Sequence, residues 1–113
     1  MIDLEIKEID SADVDIGQWR SDGSEQVYLQ ISMNIGETGS AAGDLFQTIV
    51  ATPEGLRQAS GRFGPVVSTR GLMVVSKFSW QLVRNTLTEI VVSCAAEDWP
   101  RSVLKLERYT RSQ

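Results

Sequence analysis

The sequence predicts an α+β fold: a mainly antiparallel sheet of about four strands with two or three helices, the longest packed on one face. Three observations carry this. The N-terminal half contains runs in which apolar and polar residues alternate, as a half-buried strand requires. The C-terminal half contains one long run with apolar residues at three- and four-residue steps, the stripe of an amphipathic helix. Gly, Pro and Ser clusters punctuate the chain between these runs, and no repeat, low-complexity tract or linker interrupts its 113 residues. Residues 1–113 therefore read as one domain.

Ile2, Leu4 and Ile6 alternate with Asp3, Glu5 and Lys7, a first strand with one wet face. Ser11 to Gly23 loses all periodicity and collects Asp, Ser and Gly, which reads as a long exposed connection. Val27, Leu29, Ile31, Met33 and Ile35 then alternate with Tyr28, Gln30, Ser32 and Asn34, the cleanest strand in the chain. The Gly-rich stretch from Gly36 to Gly43 is a loose hairpin tip, after which Asp44 to Ala51 returns as the antiparallel partner.

Thr52-Pro53-Glu54 has the chemistry of a helix start: a capping hydroxyl, a proline at the first helical position and an acid in the first turn. Ser60-Gly61 should end that helix within two turns, leaving Gly61-Arg62-Phe63-Gly64-Pro65 as a second loop. The continuous apolar run Leu72 to Val75 predicts a strand buried on both faces or central in the sheet. Ser79 caps the longest helix, whose inward face is Trp80, Val83, Leu87, Ile90, Val91 and Cys94. Asp98 opens a third, short helix with Trp99, Val103 and Leu106 inward and Arg101, Lys105 and Arg108 on the opposite side. Trp80 and Trp99 both read as core.

Absent residue types restrict the chemistry. The chain has no histidine and a single cysteine. A Ser-His-Asp triad, a Cys-His pair and the ordinary zinc sites are therefore excluded. Cys94 lies within an apolar arc and reads as a small buried hydrophobe rather than a nucleophile. A catalytic carboxylate pair remains possible, but plentiful acids are also what a soluble surface looks like, and the chain is expected to be non-enzymatic, without cofactor or metal. One cysteine permits no internal disulfide, which fits a reducing cytoplasm. Met1-Ile2-Asp3-Leu4-Glu5 sets acids where a signal peptide needs a basic leader, and no segment approaches the roughly 20 apolar residues of a membrane span.

Nucleic acid is likewise not expected as a partner. Gly61-Arg62-Phe63-Gly64 and Gly36-Glu37-Thr38-Gly39 match the backbone-clamping GxxG of KH domains, yet neither joins two helices. The stripe Arg101, Lys105 and Arg108 reads as a solvated helix face, and the chain as a whole is acidic, with a net charge of −4.

That total conceals a division. Residues 1–56 hold eleven acids against Lys7 and Arg20, a net −9, whereas residues 57–113 hold nine bases against four acids, a net +5. Such asymmetry steers association with charged partners, and the acidic half suits a basic one. The candidate contact residues are the acids of the long connection and hairpin tip, Asp13, Asp15, Asp22, Glu25, Glu37 and Asp44, together with Trp19. Trp19 sits among these acids either as a lid folded on the core or as an exposed anchor of the kind that dominates interfaces. Asp3, Glu5 and Glu8 are poorer candidates, because alternation along a strand asks only for a wet face. Leu82 and Val92 lie off the inward arc of the long helix, where they either join an apolar interface centre or pack beneath the connection.

The order and spacing of several segments resemble the immunity protein 8 family of bacterial polymorphic-toxin and contact-dependent inhibition systems. The segments are Thr52-Pro53-Glu54-Gly55-Leu56, the Gly-Arg loop, the apolar strand from Leu72, Phe78-Ser79-Trp80 opening a helix that ends Val92-Ser93-Cys94, then Trp99 and Leu106-Glu107-Arg108-Tyr109. In looser form, with the acidic first strand and the hairpin, the likeness spans nearly the whole chain. It implies a small cytoplasmic inhibitor that binds and occludes a toxin made by sister cells, with no catalysis, no cofactor and no fixed set of contact residues. Many such toxins are basic nucleases, which agrees with the acidic half. The family pattern continues into a last strand, whereas this chain stops at Arg111-Ser112-Gln113, so the C-terminal edge of the sheet is left open. A different class of reading is a non-enzymatic accessory or scaffold protein that homo-oligomerises through the same surfaces.

Overall fold

A computed structural model of the chain describes residues 1–11, 13, 26–63 and 71–112. The elements follow in the order β1 (Leu4–Ser11), β2 (Tyr28–Glu37), β3 (Asp44–Ala51), α1 (Pro53–Phe63), β4 (Leu72–Val74), α2 (Trp80–Ser93), α3 (Trp99–Leu106) and β5 (Arg111–Ser112). They form the expected α+β architecture: a sheet in the order β1-β2-β3-β4, mostly antiparallel, with three helices.

The alternation of β2 sets the layers. Leu29, Ile31, Met33 and Ile35 are buried on one face, and Val83, Leu87 and Val91 of α2 close over them with Leu4, Phe46, Val50, Cys94 and Leu106. Trp99 of α3 meets Phe46 edge to face, centroids 6.3 Å apart at 77°, an arrangement aromatic rings favour. Trp80 and Trp99 are only partly buried and pack against this cluster from its margin. Both C-terminal helices start as read: Ser79 Oγ accepts the N–H of Leu82 at 3.4 Å, and Asp98 Oδ1 accepts that of Arg101 at 2.9 Å.

Four local expectations are corrected. β1 runs on to Ser11 because a bulge between Ile6 and Glu8 resets its alternation and returns Ile9 and Ser11 to the inner side. The hairpin tip is tied down rather than loose: Thr38 N–H donates to Asp3 O at 2.9 Å, Ser40 N–H to Glu37 O at 3.1 Å and Ala42 N–H to Ser40 Oγ at 3.1 Å. Helix α1 continues through Ser60 and Gly61 to Phe63, so glycine alone does not stop it. β4 is neither central nor buried on both faces. It is an edge strand parallel to β3, and Val74 is 52% exposed.

The far edge of β3 is shared. β4 pairs with Ile49, Val50 and Ala51, and β5 pairs with Phe46 and Gln47, so the C-terminal segment does supply a short strand. Gly71 stands at the junction with φ +79°, a conformation side chains resist. Its carbonyl accepts from Ile49 N–H at 2.7 Å, and a Cβ there would meet Tyr109 O at 2.9 Å. At the other end of β3, Thr52 joins strand to helix. Its hydroxyl accepts the N–H of Gly55 in the first turn of α1 at 3.1 Å. Gly55 lies so close to Val27 that a Cβ would fall 1.9 Å from the Val27 carbonyl oxygen. This explains the run Thr52-Pro53-Glu54-Gly55 better than helix propensity does.

Candidate functional site

Of the seven candidate contact residues, Asp13, Glu37 and Asp44 lie among the described residues, and all three are exposed. Asp15, Trp19, Asp22 and Glu25 lie outside them. Asp13 sits just past the end of β1, where its Oδ2 accepts the N–H of Gln30 at 2.8 Å. Glu37 and Asp44 flank the hairpin tip at the opposite end of β2. Gln30 and Glu37 are seven steps apart along β2, roughly 23 Å at the rise of a strand. Glu37 and Asp44 are thus together, and Asp13 stands apart from them.

What lies between is the edge strand β1. Glu5, Glu8 and Asp10 pair across with Gly36, Asn34 and Ser32, which puts these acids on the face of the sheet turned away from α2. Leu4, Ile6 and Ile9 pair with Glu37, Ile35 and Met33 and turn toward the core. Lys7, at the bulge, is the exception to this acidic row. Its Nζ donates to Glu5 Oε1 at 2.9 Å, to Glu37 O at 3.2 Å and to Ser40 O, so its charge is engaged in holding the hairpin tip. Its side chain is 16% exposed.

Beside β1 runs a groove of about 640 Å³, lined by residues 4–10 of the strand and by Arg84, Thr88, Val91 and Val92 of α2. Val92 is 57% exposed and Leu82, on the same helix, 54%. These two therefore do turn outward from the α2 arc. A second, smaller hollow of about 270 Å³ lies between β4 and the C-terminal ends of α2 and α3, lined chiefly by apolar residues and Arg108.

Sequence reasoning passed over Glu5 and Glu8 because their alternation is accounted for by solvent alone. Strand order is what changes their standing, and strand order is not written in a period-two pattern. Cys94 is 1% exposed in the core, and burial pushes its thiol above the ordinary range, outweighing a hydrogen bond from Ser93 and the charges of Lys105 and Arg108. A neutral thiol so placed is packing, not a nucleophile. Among the described residues no helix is long and apolar enough to cross a membrane.

A family model described as Immunity protein 8 matches residues 4–111, from the first residue of β1 into β5. No curated protein and no solved structure matches the chain.

Proposed function

The chain belongs to the immunity protein 8 family, and from that premise we propose that it neutralises a cognate bacterial toxin by binding and occluding it in the cytoplasm, without turnover and without a cofactor. The observation that carries this reading is the extent of the family match, which takes in every element of the fold. The charge division supports the finer part. A half-chain of net −9 favours a toxin with a basic surface, because complementary fields accelerate encounter and reject wrong partners.

Asp13, Glu37 and Asp44, with Asp15, Asp22, Glu25 and Trp19, are the proposed first contacts. Carboxylates supply long-range attraction, and an apolar or aromatic centre supplies most of the affinity. Occlusion needs neither histidine nor metal, which agrees with a chain that has no histidine.

The test is co-expression with the product of the adjacent open reading frame, followed by co-purification and a growth assay. A stable complex and rescue of toxin-arrested cells are expected. Failure to bind that product, with concentration-dependent self-association instead, would replace immunity with the scaffold reading.

A further inference from the structure

β1 is an edge strand whose outward backbone groups can be identified. The N–H of Thr38 donates to Asp3 O at 2.9 Å, which makes Asp3 and Thr38 a hydrogen-bonded pair and sets the phase of the ladder. With the bulge at Lys7, residues Glu5, Glu8 and Asp10 then direct their N–H and C=O groups toward β2. Leu4, Ile6 and Ile9 direct theirs away from it, into the groove beside α2. Both ends of this open row are closed. Ile2 N–H, of the same parity, donates to Ala96 O at 2.9 Å, and Ser11 N–H is taken by Asp10 Oδ1 at 2.8 Å. Among the described residues β1 has no second neighbour.

An exposed edge of this kind is a template for a further strand. We propose that the groove between β1 and α2 receives an extended segment of the toxin, which adds to the sheet as a strand alongside Leu4–Ile9. The inference rests on the immunity reading above. From Leu4 to Ile9 the open row is roughly 17 Å long, room for about five residues of strand.

The two sides of the groove specify what that segment carries. Residues that share one face with Glu8 and Asp10 are cross-strand neighbours of exposed carboxylates, so Lys or Arg is favoured there, whereas Glu5 already has its base in Lys7. Residues on the other face meet Thr88, Val91 and Val92 and are apolar, except opposite Arg84, where a basic residue is disfavoured. The partner segment therefore alternates basic and apolar residues opposite Glu8 and Asp10. A second copy of this chain fits poorly: pairing β1 with β1 sets Glu8 and Asp10 of one copy among the same acids of the other, and like charges across a ladder destabilise it.

Hydrogen exchange on the full-length protein, free and bound to its cognate toxin, tests the proposal through its parity. In the free protein the amides of Glu5, Glu8 and Asp10 should be protected and those of Leu4, Ile6 and Ile9 should exchange fast. In the complex, Leu4, Ile6 and Ile9 should slow by at least tenfold. Thr88→Trp, which fills the groove from α2, should weaken toxin binding by at least tenfold while leaving the melting temperature of the free protein unchanged. Val92→Asp, introducing charge without bulk, provides a second variant with the same expectation. If the complex forms but these three amides exchange as before, strand addition is wrong while immunity stands. If no complex forms with wild type, the immunity reading itself fails. Protection of Leu4, Ile6 and Ile9 in the free protein that grows with its own concentration would instead make a second copy the occupant and overturn the proposal.

Discussion

Thr52 and Val27 hold each other by two reciprocal hydrogen bonds: the Thr52 N–H donates to the Val27 carbonyl at 2.9 Å, and the Thr52 hydroxyl accepts the Val27 N–H at 3.1 Å. The same hydroxyl accepts from Gly55, so one buried oxygen ends the β2–β3 ladder and caps α1. Thr52→Val keeps the shape and leaves two buried N–H groups without an acceptor. It should cost about 1–3 kcal/mol in urea unfolding, and Thr52→Ser should recover most of that. Equal stability of the Val and Ser variants would show that the cap contributes nothing.

Leu87 tests the helix periodicity directly. It is 2% exposed within the core, whereas Leu82, five residues earlier on the same helix, is 54% exposed. Leu87→Ala should destabilise the protein by about 2–5 kcal/mol, and Leu82→Ala should change it by less than about 0.5 kcal/mol. The measurement is the denaturation midpoint at constant m-value. A reversed order of the two would mean that α2 presents another face to the sheet.

Stability should fall at alkaline pH on account of Cys94. Burial raises the thiol in the folded state, so the folded protein holds this proton more tightly than the unfolded chain does. The contribution is complete below the ordinary thiol value and is lost as pH rises from there through the raised folded value. Comparison of wild type with Cys94→Ala isolates it from other alkaline titrations. The stability gap between the two should narrow as pH climbs from 7 to about 10, and a gap independent of pH would refute the assignment.

The acids proposed as first contacts should act on association. Replacing Asp13, Asp15, Asp22, Glu25, Glu37 and Asp44 with Asn or Gln should slow toxin binding and flatten its salt dependence, because screening acts on long-range charge. Trp19→Ala should mainly raise the dissociation rate if Trp19 is an interface anchor, and should lower stability instead if it is a lid on the core. Kinetics at two ionic strengths, with folding checked for each variant, decide the matter. Unchanged association of the neutralised variants at low salt would make the acidic half only a solvated surface.

Much of the fold was legible in the residues. The β2 alternation, the Ser79 and Asp98 caps and the α2 stripe are each signalled by local spacing, and each occurs where that spacing puts it. Strand order was not legible. The apolar run Leu72–Val75 looks central because hydrophobicity reports burial in general, and a short edge strand backed by a helix can satisfy the same pattern. Helix α1 runs through Ser60-Gly61 to Phe63, since one glycine inside a helix costs only about 1 kcal/mol and does not by itself stop it. As for the site, charge sign was evident and position was not. The bulge at Lys7, which moves one base into the hairpin tip and leaves the remaining side chains of β1 acidic toward the outside, has no signature in a string of letters.

The division of β3's outer edge between β4 and β5 bears on how the molecule assembles. β1, β2 and β3 form a meander whose strands follow one another along the chain, whereas the far side of β3 is completed only by Gly71 and by Arg111, about 20 and 60 residues further on. Contacts of such sequence separation carry the larger loop-closure cost and form late. While the chain emerges from the ribosome, the far side of β3 therefore stays unsatisfied until most of the remaining residues have been made.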